Sequence, residues 1–208
     1  LVLQAIAGPD ASDPTALPVP VPDYAAACRL GVRGMRLGVP DAFYLDGLEP
    51  ATARAFEAAL DAFRGEGVEI VSISLPDQMR LSAAGQILLA CEAAAFHRRW
   101  LAERPEDYGA QVRARLENGL AIPAVTYLEA LRWRAIALTE HLQSVAGVDA
   151  FLAPVSASAS PSIAESDVGG GPSAEAVIQR ITRLMRPVNY LGLPALVVPA
   201  GLSDTGLP

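Results

Sequence analysis

The side chains of this 208-residue chain that could do chemistry are two histidines, two cysteines, scattered serines and a set of arginines. His97 and His141 fall on different predicted helices. Cys91 and His97 are separated by about 240° around a helix, so they do not share a face as metal ligands must. A Ser-His-Asp triad draws its members from distant segments, but no Gly-x-Ser-x-Gly elbow occurs. A rival reading is a different hydrolase whose serine is Ser74, at the end of a predicted strand, and the lack of an elbow argues against it. All 16 basic residues are arginine, which removes every mechanism that needs a lysine base, Schiff base or P-loop lysine from within this chain. Gly169-Gly170-Gly171 before a helix can offer N–H groups to an anion. No strand directly precedes it, so a plain loop is the favoured reading. Glu103, Glu106 and Asp107 beside Arg104 read as a solvated, capped helix junction. Arg113 and Arg115 can bind a carboxylate or pair with Glu117, and an ion pair is favoured. No metal or other cofactor is expected.

These residues must be positioned by an alternating set of elements. Residues 1–7 read as the end of a helix stopped by Gly8-Pro9. Pro9, Pro14, Pro18, Pro20 and Pro22 make 9–22 a semi-rigid connector. Asp23 can cap a short helix over 24–30. A βαβ unit follows: strand 35–39, loop 41–49 carrying Phe43 and Tyr44, helix 50–64 and strand 68–74. Pro50 suits the first turn of that helix. Ala53, Phe56, Leu60 and Phe63 fall at helical spacing, and Gly65 and Gly67 end it. Strand, helix, strand predicts a parallel pair with a right-handed crossover. Helices are then predicted over 77–103, with Leu81, Ala84, Leu88, Cys91 and Ala95 on one stripe, over 106–118 ending at Asn118-Gly119, and over 123–145. A strand at 149–154, a Ser/Ala/Gly-rich loop at 155–172, a helix over 174–186 capped by Ser173 and a last strand at 194–200 complete the reading.

Composition fixes the class. The chain is 51% hydrophobic and 19% charged, with a mean hydropathy of +0.29, enough apolar material for a core. The formal net charge of −7 repels phosphate backbones and argues against a nucleic-acid partner. No apolar run reaches the roughly 18 residues of a membrane span. Cys28 and Cys91 do not make a disulfide scaffold, so a cytoplasmic setting is expected. The expected fold is α/β, a mixed, largely parallel sheet layered by helices (α/β/α). Continuous apolar strands call for cover on both faces, and four short strands are few for this length, so the sheet is expected to be incomplete within the chain.

The order of blocks is distinctive. It runs from Val32-Arg-Gly-Met-Arg-Leu-Gly-Val-Pro40 to Leu75-Pro76, an Ala/Glu helix around Glu92, and Val112-Arg-Ala-Arg-Leu-Glu-Asn-Gly119. Tyr127-Leu-Glu-Ala-Leu-Arg132, Asp149-Ala-Phe-Leu-Ala-Pro154, Arg186-Pro-Val-Asn-Tyr-Leu-Gly-Leu-Pro-Ala195 and Gly206-Leu-Pro208 follow. This series resembles the C-terminal half of the amidase signature family, which includes amide hydrolases, allophanate hydrolase and the A subunit of the glutamyl-tRNA amidotransferase. The resemblance covers nearly the whole chain, and the Asn-x-x-Gly-x-Pro-Ala block is its most specific part. Val155 and Met185 stand where the family usually or commonly has threonine, which bears on subfamily.

The resemblance implies that residues 1–208 are the C-terminal portion of one amidase-type domain, with 1–30 a helical and proline-rich lead-in and 31–208 the α/β region. It implies a parent enzyme that cleaves the C–N bond of a small linear amide with a Lys–Ser–Ser triad. In the family the lysine acts through a bridging serine on the nucleophilic serine, and backbone N–H groups hold the oxyanion. This chain has no lysine and no Gly-Gly-Ser-Ser-Gly-Gly-like run, so no catalytic residue is assigned in it. The implied partners are the N-terminal half of the same protein and a small amide substrate, with a homodimer left open. Loop 41–49, segment 155–172 and the helix around Arg113–Arg115 are the candidate cleft lining. Arg115 matches an arginine that binds the substrate α-carboxylate in amidotransferase relatives. Asn189 is a second substrate-binding candidate, and its side chain can equally tie down the turn before the last strand. The rival is a non-enzymatic α/β binding or scaffold module. Such a module should close its own core, whereas a partial domain exposes apolar surface where other strands pack.

Overall fold

The computed structural model describes residues 2–167, 169, 173–204, 206 and 207. Helix α1 (Val2–Ile6) is joined by the proline connector to α2 (Tyr24–Ala27), and the Gln4 side-chain carbonyl accepts the Tyr24 N–H at 2.7 Å. Asp23 caps α2 by accepting from the Ala26 N–H at 2.8 Å.

Strand β1 (Arg36–Pro40), helix α3 (Pro50–Gly65) and strand β2 (Glu69–Ile73) form the expected unit. The strands are parallel, in register from Arg36 opposite Glu69 to Pro40 opposite Ile73. Phe56 and Leu60 of α3 are buried, and Phe63 is half-buried. The chain turns into β2 at Gly67, whose φ of +84° is readily adopted only by glycine.

Helix α4 (Gln78–Glu103) starts at the Asp77 cap. A 3₁₀ turn over Pro105–Asp107 leads to α5 (Ala110–Leu120) and then α6 (Ala124–Ser144). Asn118-Gly119 does not end α5. Gly119 instead lets α5 cross α4 closely, since a Cβ there would sit 2.2 Å from the Ala90 carbonyl oxygen. On α4 the buried stripe is Leu81, Ala84, Leu88, Ala94 and Leu101, while Cys91 is half-buried and Ala95 exposed. Helix α5 packs on α4 at Ala90 and Ala94, where Gly119 sits.

Strand β3 is only Ala150–Phe151, shorter than the expected 149–154, because β1 offers it only Leu37 and Gly38 as ladder partners. The sheet has three strands in the order β2-β1-β3, and both pairings are parallel. Arg36 ties their amino ends together. Its N–H donates to Asp149, its Nε to Glu69 and its Nη1 to the Gly147 carbonyl.

Segment 155–172, read as loop throughout, contains α7 (Ile163–Ser166), started by a capping box between Ser162 and Glu165. Gly170, Gly171 and Pro172 lie outside the described residues, and with them the anion-cradle reading. The helix expected over 174–186 is two elements, α8 (Ser173–Thr182) and α9 (Arg186–Leu191). Pro187 has no N–H to continue a ladder and its ring crowds the preceding turn, so the helix breaks and restarts. The expected strand 194–200 forms no ladder. Leu196, Val197 and Val198 are 84%, 66% and 59% exposed, and no described strand lies beside them to pair with.

Helices α4, α6 and α9 share one core of Leu81, Ala84, Leu88, Ala130, Ala137, Tyr190 and Leu191. Gly85 admits α9, because a Cβ there would lie 3.2 Å from the Tyr190 Cβ. Trp133 stacks on Tyr190 at 5.9 Å, and the Tyr190 hydroxyl donates to the Ala130 carbonyl at 2.5 Å.

Candidate functional site

In an open parallel sheet, ligands sit outside the carboxyl ends of the strands where strand order reverses. Here the chain steps from β1 to β2 on one side and later to β3 on the other, so the reversal lies between β1 and β3. Loop 41–49 leaves β1 at that end. Phe43 takes a φ of +59°, sparsely populated for a non-glycine residue, and its N–H is held by the Asp46 carboxylate at 3.0 Å. The Arg183 Nη2 donates to the Asp46 carbonyl at 2.9 Å, and its guanidinium lies 4.9 Å over the Phe43 ring. The Glu49 N–H donates to the Ala157 carbonyl at 2.8 Å, which joins this loop to the segment after β3. The two loops named as cleft lining are therefore brought together at the sheet's carboxyl edge.

A small aromatic core packs beneath that edge. Tyr44 is 1% exposed, with its ring 5.1 Å from Phe43 and 6.1 Å from Phe151. Its hydroxyl donates to the Gln78 side-chain carbonyl at 3.2 Å, and the Gln78 amide donates to the Pro76 carbonyl at 2.6 Å. Burial pushes the Tyr44 hydroxyl well above the usual tyrosine range, so it is a neutral hydrogen-bonding group. Leu184 joins Phe43 and Tyr44 in the same cluster, with Leu75, Ala153 and Ala157 packed against it. This cluster is a packed core that fixes the two loops from beneath. It brings no nucleophile and base together, and among the described residues no group of three or more His, Cys, Asp or Glu could hold a metal. Ser74 lies just past β2 and is exposed.

The histidines stay apart. The His97 Nδ1 lies 3.0 Å from the Tyr108 hydroxyl at the far end of α4. His141 is buried in α6 with its ring 5.6 Å from Phe151. Neither His141 ring nitrogen has a hydrogen-bond partner among the described residues, and burial lowers its pKa. Arg113, not Arg115, pairs with Glu117, at 2.8 Å. Arg115 is half-buried on α5 and makes no hydrogen bond or ion pair with a described residue.

Asn189 lies in α9, exposed, on the wall of a cleft of about 230 Å³ between α4, α6 and α9. Gly85, Leu88, Leu89 and Glu92 form one side of it, and Arg134 reaches it from α6. The Asn189 side chain makes no hydrogen bond to a described residue. The turn after it is made by Gly192, at φ +71°, whose N–H donates to the Asn189 carbonyl at 3.2 Å. The sequence reading missed Arg134, Arg183 and Gln78. Their roles arise only when helices far apart in the chain meet, and no local spacing encodes that.

The fold is that of an α/β domain of the amidase type. The chain belongs to the Amidase family, which matches it over residues 1–208. It is 35% identical over 208 residues to an amidase from Pseudomonas putida, covering 100% of this chain and 45% of that protein. It is 31% identical over 233 residues to the A subunit of the glutamyl-tRNA(Gln) amidotransferase of Geobacter metallireducens, covering 100% of this chain and 47% of that protein. The crystal structure of the corresponding A subunit of glutamyl-tRNA(Gln) amidotransferase from Thermotoga maritima superposes with a TM-score of 0.70 at 25% identity, covering 97% of this chain and 42% of that one. The chain thus spans about half the length of the curated relatives it matches. No described helix is long and apolar enough to cross a membrane.

Proposed function

We propose that this chain is the C-terminal, non-catalytic portion of an amidase-family hydrolase that cleaves the C–N bond of a small linear amide. Its part is to complete the sheet and to wall the substrate cleft with loop 41–49 and the segment after β3. The observation that carries this reading is the family match over the whole chain, together with the absence of lysine anywhere in the sequence. The lysine and two serines that the family uses belong, on this reading, to the N-terminal half of the same protein. The serine oxygen attacks the amide carbonyl, the C–N bond breaks, and the nitrogen leaves with a proton. Water then releases the acid and restores the serine. Arg115 selects substrates that carry a carboxylate, through the bidentate geometry of its guanidinium. Asn189 is the second candidate contact. The complete protein that carries this chain should release ammonia or an amine from small linear amides. A folded complete protein that hydrolyses none of a broad amide panel would contradict the reading.

A further inference from the structure

We propose that the cleft between α4, α6 and α9 is a binding site for a small organic carboxylate. The site shares Asn189 with the reading above, where it is a substrate contact, but its test does not depend on amide hydrolysis. The chain as a whole carries a net charge of −7, yet this cleft concentrates positive charge. Arg134 and Arg186 line it against a single acid, Glu92. Glu92 accepts a hydrogen bond from the Tyr127 hydroxyl at 3.3 Å. Arg186 is buried and donates to the Gln179 side chain. Arg80 adds a third positive charge nearby, with its guanidinium 4.2 Å over the Trp133 ring that stacks on Tyr190. Burial raises the Tyr190 hydroxyl pKa, and the charges of Arg134 and Arg80 oppose that rise, as expected of a positive field at this wall.

Two donors at the cleft are available to a ligand. Arg134 is half-buried and makes no hydrogen bond or ion pair with a described residue, and the Asn189 side-chain amide is exposed and without a hydrogen bond to one. The Arg134 Nη2 lies where a Cβ on Gly192 would come within 2.6 Å, so the glycine leaves room for the guanidinium beside the end of α9. A planar guanidinium with its N–H groups unpaired among the described residues matches a carboxylate through two parallel N–H···O bonds. Gly85, Leu88 and Leu89 supply an apolar side that a bare inorganic ion would leave unused. The volume of about 230 Å³ is below the ~300 Å³ at which pockets for drug-sized ligands begin, so the occupant is small.

Calorimetric titration of the complete protein with benzoate, the uncharged benzamide and inorganic phosphate tests the site. Isotope-labelled asparagine reports on the Asn189 side-chain amide in the same titrations. Benzoate should saturate and shift that amide signal, with benzamide and phosphate about tenfold weaker or more, the loss expected for one charged hydrogen-bond pair. Arg134→Gln should weaken benzoate by a similar factor. Glu92→Gln, which keeps the acceptor for Tyr127 and removes the competing charge, should tighten benzoate and leave benzamide unchanged. If Arg134→Gln does not fold, the Glu92→Gln comparison decides alone. Equal binding of benzoate and benzamide, an Asn189 amide that does not move, or no tightening in Glu92→Gln would overturn the proposal.

Discussion

The ring of His141 is 1% exposed, and neither nitrogen finds a hydrogen-bond partner among the described residues. Burial disfavours the charged imidazolium, so the folded-state pKa falls below the ordinary 6.5. The unfolded chain takes up a proton near that ordinary value and the folded chain takes it up only at lower pH. Stability is therefore unaffected by this group at higher pH and falls as pH drops below about 6.5. The denaturant midpoint should fall between pH 7 and pH 5, and His141→Leu should flatten that dependence. Parallel slopes in the two proteins would place the acid sensitivity elsewhere. Arg115 belongs to the same scale. With Glu117 already taken by Arg113, its guanidinium is available for a substrate carboxylate. In the complete protein, Arg115→Ala should raise KM for an amide bearing a carboxylate and leave neutral amides nearly unchanged. An equal loss for both classes would show that the arginine supports the fold instead.

At the scale of elements, α3 is the helix that joins the two longest strands. Phe56 and Leu60 are buried on its inner face. Phe56→Ala should cost about 3–5 kcal/mol of folding stability, the transfer loss plus the cavity left behind, as read from urea or guanidinium unfolding. A cost below about 1 kcal/mol would mean that the α3 face is not closed against the sheet. The β1-α3-β2 unit was legible in the sequence because its signals are local: Pro50 at the start of the helix, apolar spacing along it, glycines at its end. Segment 194–200 carries equally strong strand residues but forms no ladder, because a strand exists only with a partner and pairing is not a local property. The break between α8 and α9 has a local signal in Pro187, whose ring crowds the preceding turn. At the site, Phe43, Tyr44 and the two lining loops were readable. The links through Arg183, Gln78 and Arg134 were not, since each joins helices or loops distant in the chain.

For the whole molecule, surface area is the telling quantity. A compact monomer of 21.7 kDa is expected to expose roughly 9,200 Å². This chain exposes 13358 Å². The excess of roughly 4,100 Å² is above the ~1,000–2,500 Å² that one side of an obligate interface typically buries. Part of it lies in the proline connector, and part lies along Leu196–Val198, apolar on consecutive residues as in strands covered on both faces. Exposed apolar surface of this kind is what the proposed reading expects of the chain. The most direct measurement is the rate of amide hydrolysis by this 208-residue chain alone, beside the same chain mixed with the separately produced N-terminal half. The account predicts no turnover above background from the chain alone and recovery of turnover on mixing. Turnover by the chain alone, in a preparation free of contaminating amidase, would contradict it.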